Sequence, residues 1–354
     1  MDPRSSPTTD GTRAAPPQRA DDAHAPQPAP EPPPTPDPDA PRQRSLGLRI
    51  AGSTVGLALL AGAAWVVWRQ REDVGRALRQ SLEGAWWLIP AMLVLPCVSC
   101  ALSALMYWFL FNRDDGTRRV GYREMCCVIG AAWLMNYLPA RPGMLGRLAY
   151  HKVVNGIPLR ESVRVSIVAI TCGGAAVGSL LGATVLARAL GLSGVALVAC
   201  IASPLVILGA AGAWLARAGS ERTRRYLLAS AARYADVLAW ILRYLCAFIA
   251  VGRDLSLLEV VAFTAVSQAA LLVPLISNGL GLREWAIGLL GPALPVWARA
   301  GDLSRGLAIA GDLVHRAADV AASLPVGLVG AWYVSRRITN ARTSTLRPEP
   351  PGPR

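Results

Sequence analysis

Apolar residues along this chain fall in long blocks rather than in short amphipathic stripes. Ile50 to Trp68, Ala85 to Phe111, Ser162 to Ala187, Leu190 to Leu215, Leu255 to Ile276 and Ala308 to Val334 are each long enough to cross a bilayer as a helix. Tyr226 to Val251 has the same length but carries Arg233, Asp236 and Arg243. Two further apolar segments, Met125 to Leu138 and Leu280 to Trp297, are short and run with or into glycine and proline. The pattern predicts an all-α, polytopic transmembrane helical bundle of about eight spans, two of whose segments are broken or re-entrant. Three regions follow: a Pro/Ala-rich disordered tail over 1–47, a membrane domain over 48–335, and a short basic tail over 336–354. The first is too poor in apolar side chains to offset its ordering entropy. A charged stretch with helical spacing, 71–87, ends in Trp86 and Trp87 and suits a short helix at the membrane surface.

Composition sharpens this picture. The 354 residues are 53% hydrophobic, yet the formal charge is +13, carried almost wholly by arginine. In a soluble protein that balance would suggest nucleic acid. Here the arginines flank or interrupt apolar blocks, so membrane topology and anionic lipid account for them, and no nucleic-acid partner is expected. Basic residues beside the first span, in the 112–124 loop and after the last span predict both termini in the cytoplasm. The expected location is the inner membrane of a bacterial cell. The seven cysteines lie in or beside apolar blocks. Cys97 and Cys100 form a CxxC without a second pair, which reads as helix packing, and no metal or cofactor is expected. No GxxxxGK phosphate loop occurs, so uphill transport would need an ion gradient or a partner membrane protein.

Candidate chemistry sits where the apolar pattern breaks. "YLPARPGMLGRLAYHK", 137–152, packs two prolines, two glycines, two arginines, a histidine and the chain's only lysine into sixteen residues. "VPLISNGLGLREW", 273–285, does the same in the second half. Interrupted segments in corresponding halves point to a binding site, because unwound backbone in a membrane must be buried in protein or line a cavity. Free amides there, with Arg141, Arg147 and Arg283, suit anionic oxygen, phosphate above all. The alternative is two surface loops whose arginines serve topology. In the last block Asp312, His315, Arg316 and Asp319 are spaced i, i+3, i+4 and i+7, so they share one helix face. They read either as a transport path or as a structural stripe in which Arg316 is held between Asp312 and Asp319. Arg233, Asp236, Trp240 and Arg243 form a similar stripe, read either in the same way or as an amphipathic helix lying at the interface.

"LPARPGMLGR", "NGLGLREWAIGLL" and the His315–Arg316 pair ahead of "GLVG" resemble, in order and spacing, motifs of the lysylphosphatidylglycerol synthase transmembrane family, also called the flippase-like membrane family. The resemblance covers roughly 50–335. It implies a membrane domain that moves lipid between leaflets, here without the aminoacyl transferase domain that some members carry. It also implies Gly143, Arg147, Gly279, Gly281, Arg283, Glu284 and Arg316 as substrate-binding residues, with Asn278 opening the second motif. The first motif lacks its acidic residue at Met144 and Gly146, which argues against a cationic lysyl headgroup and leaves phosphate recognition intact. The expected function is therefore a lipid translocator, or a lipid-binding protein, that handles an anionic phospholipid or lipid-linked substrate. Alternatives are a membrane transferase acting on a lipid-linked sugar or phosphate, and a structural partner in envelope assembly. No catalytic constellation is found.

Overall fold

A computed structural model describes residues 86–112, 119–138, 142–217, 221–271, 282–293 and 305–345, with isolated positions between 65 and 83. All of these lie in the unit Arg44–Arg354. The expected tail over 1–47, most of the expected first span, and Pro139, Ala140, Arg141, Asn278, Gly279 and Gly281 lie outside the described residues.

Among the described residues the elements are helices: α1 (Leu88–Phe111), α2 (Tyr122–Met135), α3 (Pro142–Val154), α4 (Leu159–Ala189), α5 (Gly194–Arg217), α6 (Glu221–Ala250), α7 (Leu257–Leu271), α8 (Leu282–Ala293) and α9 (Arg305–Thr345). Local sequence explains several of their ends. α3 begins at Pro142, where a missing N–H costs nothing and the fixed φ favours entry. α7 is preceded by a capping box. The Ser256 N–H donates to Glu259 Oε2 at 2.6 Å, and the Glu259 N–H donates to Ser256 Oγ at 3.4 Å. α4 ends in a turn at Gly191, whose φ of +64° belongs to the left-handed region.

Four of these helices, α1, α4, α5 and the Gly306–Ala341 part of α9, are long and apolar enough to cross a membrane. The expected count of about eight is not reached among the described residues. α6 is excluded by its charges, α7 and α8 by length. The last helix also extends to Thr345, past the position 336 at which the sequence suggests a tail.

Burial is inverted relative to a water-soluble protein. Val195 is 86% exposed, Val206 67% and Ile207 64%, and Trp214, Ile167, Val185, Leu328 and Trp332 are exposed beside them. Arg283, Asp312, Glu284, Asp236 and Arg243 are buried. Apolar side chains on the outside and ion pairs on the inside fit hydrocarbon as solvent, and the chain is a membrane protein.

The stripe on α6 corrects one expectation. It does not lie at an interface. α6 is a central helix, packed against α1, α4, α5, α7 and α9. Ala229, Ala231, Ala232, Ala239 and Ala247 are buried along it, and their small side chains let neighbouring helices approach closely enough to cover the charges between them.

Candidate functional site: an arginine-lined cavity

α2 and α9 form one side of the site, and glycine sets their distance. A Cβ on Gly330 would lie 2.3 Å from the Cys127 carbonyl oxygen. α3 is held against α2 in the same way, since a Cβ on Gly143 would fall 2.1 Å from the Ala132 carbonyl oxygen. Gly143 thus acts in packing here, and it brings the first turns of α3, with Arg147, against the bundle.

The charged residues of α9 do lie together in the interior, but their pairing differs from the stripe expected along one helix. Arg316 is not held between Asp312 and Asp319; its Nε lies 2.7 Å from Glu284 Oε1 on α8. Arg283 Nε lies 3.0 Å from the Asp312 carboxylate, which also accepts a 2.6 Å hydrogen bond from the Tyr244 hydroxyl. Asp319 pairs with Arg243 on α6 and accepts from the Tyr137 hydroxyl at 3.0 Å. The physical reason is that α8 and α6 bring oppositely charged groups to the same face of α9. A pair between helices serves two elements that would otherwise each bury an unmatched charge. His315 stacks on Tyr244 with ring centroids 4.3 Å apart and planes at 11°, and lies 5.0 Å from the Trp240 ring. Trp240 also carries the Arg243 guanidinium 4.5 Å from its centroid.

Beside this network is a cavity of about 210 Å³. Arg147, Arg233, Arg243, Asp236 and Asp319 supply its charged lining and Asn136 and Gln268 its amides, together with hydroxyl and aromatic side chains. Four buried carboxylates, Asp236, Asp312, Asp319 and Glu284, each have an arginine: Arg233, Arg283, Arg243 and Arg316 respectively. Arg147 differs. Its guanidinium sits 3.9 Å from the Tyr107 ring centroid and donates to Ser166 Oγ at 3.3 Å, and among the described residues no carboxylate lies within ion-pair distance. It is only 9% exposed.

Of the residues singled out in the sequence, Arg147, Asp319 and the stripe Arg233, Asp236, Trp240 and Arg243 line the cavity. Arg283, Glu284, Asp312, His315 and Arg316 form the network next to it, and Gly143 positions α3. Arg141, Asn278, Gly279 and Gly281 lie outside the described residues. Sequence reasoning left out Tyr244 and Gln268, and it noted Arg233, Asp236 and Arg243 as a stripe without assigning them to a site. The signal was present in the charges of the 226–251 block, but amphipathic spacing alone favoured a surface helix. Among the described residues no three His, Cys, Asp or Glu side chains come together as a metal site. No protein-family model, curated protein or solved structure matches the chain.

Proposed function

We propose that this protein binds the anionic headgroup of a membrane lipid in the cavity and acts as a lipid translocator or lipid-binding protein of the inner membrane, with both termini in the cytoplasm. The motif resemblance to the flippase-like family points the same way. The observation that carries the reading is the charge balance around the cavity. Among the described residues each of its buried carboxylates has an arginine, whereas Arg147 is buried without a carboxylate within ion-pair distance. An isolated cation in a low-dielectric interior costs several kcal/mol, and an incoming phosphate removes that cost. Arg147 holds the phosphate by charge-assisted hydrogen bonds, while the acyl chains remain among the exposed apolar side chains of the spans. Arg243 and Arg233, already neutralised by Asp319 and Asp236, shape the site without adding net charge.

Replacing Arg147 by Gln keeps a polar, hydrogen-bonding side chain but removes the charge. Native mass spectrometry of the protein purified in nanodiscs is expected to show anionic lipid on the wild type and at least a tenfold loss on R147Q. Leaflet exchange of a labelled anionic lipid in proteoliposomes is expected to fall in parallel. Equal retention of anionic lipid by R147Q would sink the reading.

A further inference from the structure

α3, which carries Arg147, is fastened at both of its ends. Gly143, Arg147 and His151 stand at i, i+4 and i+8, so one side of the helix turns all three toward the bundle, and all three are buried. Gly143 packs on the Ala132 carbonyl at the first end. At the other, His151 is wholly buried, with its ring centroid 4.3 Å from that of Phe111 on α1. Its Nδ1 lies 3.0 Å from Asn155 Oδ1. The Asn155 amide nitrogen donates to Glu124 Oε1 on α2 at 2.9 Å and to the Arg119 carbonyl oxygen at 3.4 Å. Glu124 also accepts from the Tyr150 hydroxyl at 2.8 Å and has Arg337 of α9 at 3.6 Å. These contacts fix the tautomer of the histidine. Both partners of the Asn155 nitrogen are acceptors, so the amide oxygen faces His151 and Nδ1 carries the hydrogen. Nε2 is then the bare nitrogen, and it is buried with no hydrogen-bond partner among the described residues. A second proton on the ring would place a charged N–H where none of these groups accepts it.

We propose that His151, Asn155 and Glu124 form an acid-released latch, which holds α3 against the bundle and so positions Arg147, one turn before the histidine. His151 is a positioning residue: it acts through the helix and touches no ligand. The charged and titratable groups around it come from every element packed there. α3 brings Arg147 and Tyr150, α2 Glu124, and α9 Arg337 and Tyr333. The Arg119–Glu161 pair ties the segment before α2 to α4, and α1 contributes the Phe111 ring and, under Arg147, Tyr107. α3 is not one of the helices long enough to cross a membrane. Burial above all pushes the imidazole down to about 4; the Asn155 hydrogen bond and Glu124 oppose this, and Arg147 reinforces it. A ring released from the latch returns to about 6.5. Above that pH both states are neutral and the latch is at full strength. Between about 6.5 and 4 the released ring takes up a proton that the latched ring refuses, so each pH unit favours release roughly tenfold.

Hydrogen exchange of peptides covering 142–155 reads the latch directly, in the full chain in phosphatidylcholine nanodiscs at about pH 7.5 and about pH 5, corrected for the intrinsic pH dependence of exchange. Wild-type α3 is expected to lose protection roughly thirtyfold at the lower pH, about 1.5 units below the free histidine. His151→Asn offers Asn155 an amide donor that does not titrate, and should hold protection constant. If H151N does not remain monodisperse, Asn155→Leu removes the link to both His151 and Glu124 and should leave α3 poorly protected at both pH values. The consequence for Arg147 rests on the anionic-lipid reading above. Preference of the wild type for phosphatidylglycerol over phosphatidylcholine should fall in step with α3, by about tenfold or more, because the phosphodiester is ionised at both pH values, and it should hold in H151N. Wild-type protection that does not change with pH overturns the latch, and an H151N protein that loses protection like wild type removes His151 from it. Protection that falls while the lipid preference holds overturns the positioning of Arg147. Protection that falls in a protein without preference for phosphatidylglycerol at either pH upholds the latch and overturns the anionic reading instead.

Discussion

Arg316 and Glu284 show how a buried pair at this depth is to be tested. Removing one partner leaves the other charge buried, which costs about 3 to 5 kcal/mol, whereas replacing both with apolar residues of similar volume is often neutral. Arg316→Met alone is therefore expected to lower the thermal transition of the purified protein sharply, and the double variant Arg316→Met, Glu284→Leu to recover most of the loss. An R316M protein as stable as wild type would mean that Glu284 is not its counter-charge. The i, i+3, i+4, i+7 spacing placed Asp312, His315, Arg316 and Asp319 on one face of α9, and all four are buried. It gave no means of choosing partners, because Arg283, Glu284 and Arg243 arrive from α8 and α6.

At the level of elements, the approach of α2 to α9 depends on backbone that no side chain separates. Gly330→Ala sets a methyl 2.3 Å from the Cys127 carbonyl oxygen, an overlap that backbone must move to relieve. The expected cost is about 1 to 3 kcal/mol. Gly209→Ala on α5 is the matched control, since nothing lies within 4 Å of its added Cβ and alanine is the better helix former. Thermal unfolding in one detergent should order the three proteins G209A at or above wild type, with G330A well below. The same scale explains why α6 is central. Its alternation of charged and apolar residues is what a surface helix shows in water, and in a bundle within lipid the polar side turns inward instead.

For the molecule as a whole, arginine in the segments flanking the spans sets orientation, since it is retained on the cytoplasmic side. Arg336 and Arg337 follow the apolar part of α9 on the same helix, which continues to Thr345. A reporter fused after the last residue is expected to be active when it is one that works in the cytoplasm, and silent when it is one that works only in the periplasm. The reverse pattern would place the C-terminus outside and invert the access of the cavity.

Block length and apolar content alone determined that the chain is helical and lives in a membrane, because the bilayer fixes the length of a span and forbids unpaired backbone within it. The breaks at 137–152 and 273–285 likewise marked Arg147 and Arg283 before any fold was known. Only tertiary structure decided that α6 is central, that the carboxylates of α9 pair across helices, and that Arg147 is the buried arginine without a carboxylate among the described residues. Hydropathy is a property of single residues summed along a segment. Charge pairing and the hydrogen bonds around His151 depend on which helices meet, and that is settled by packing between segments far apart in sequence.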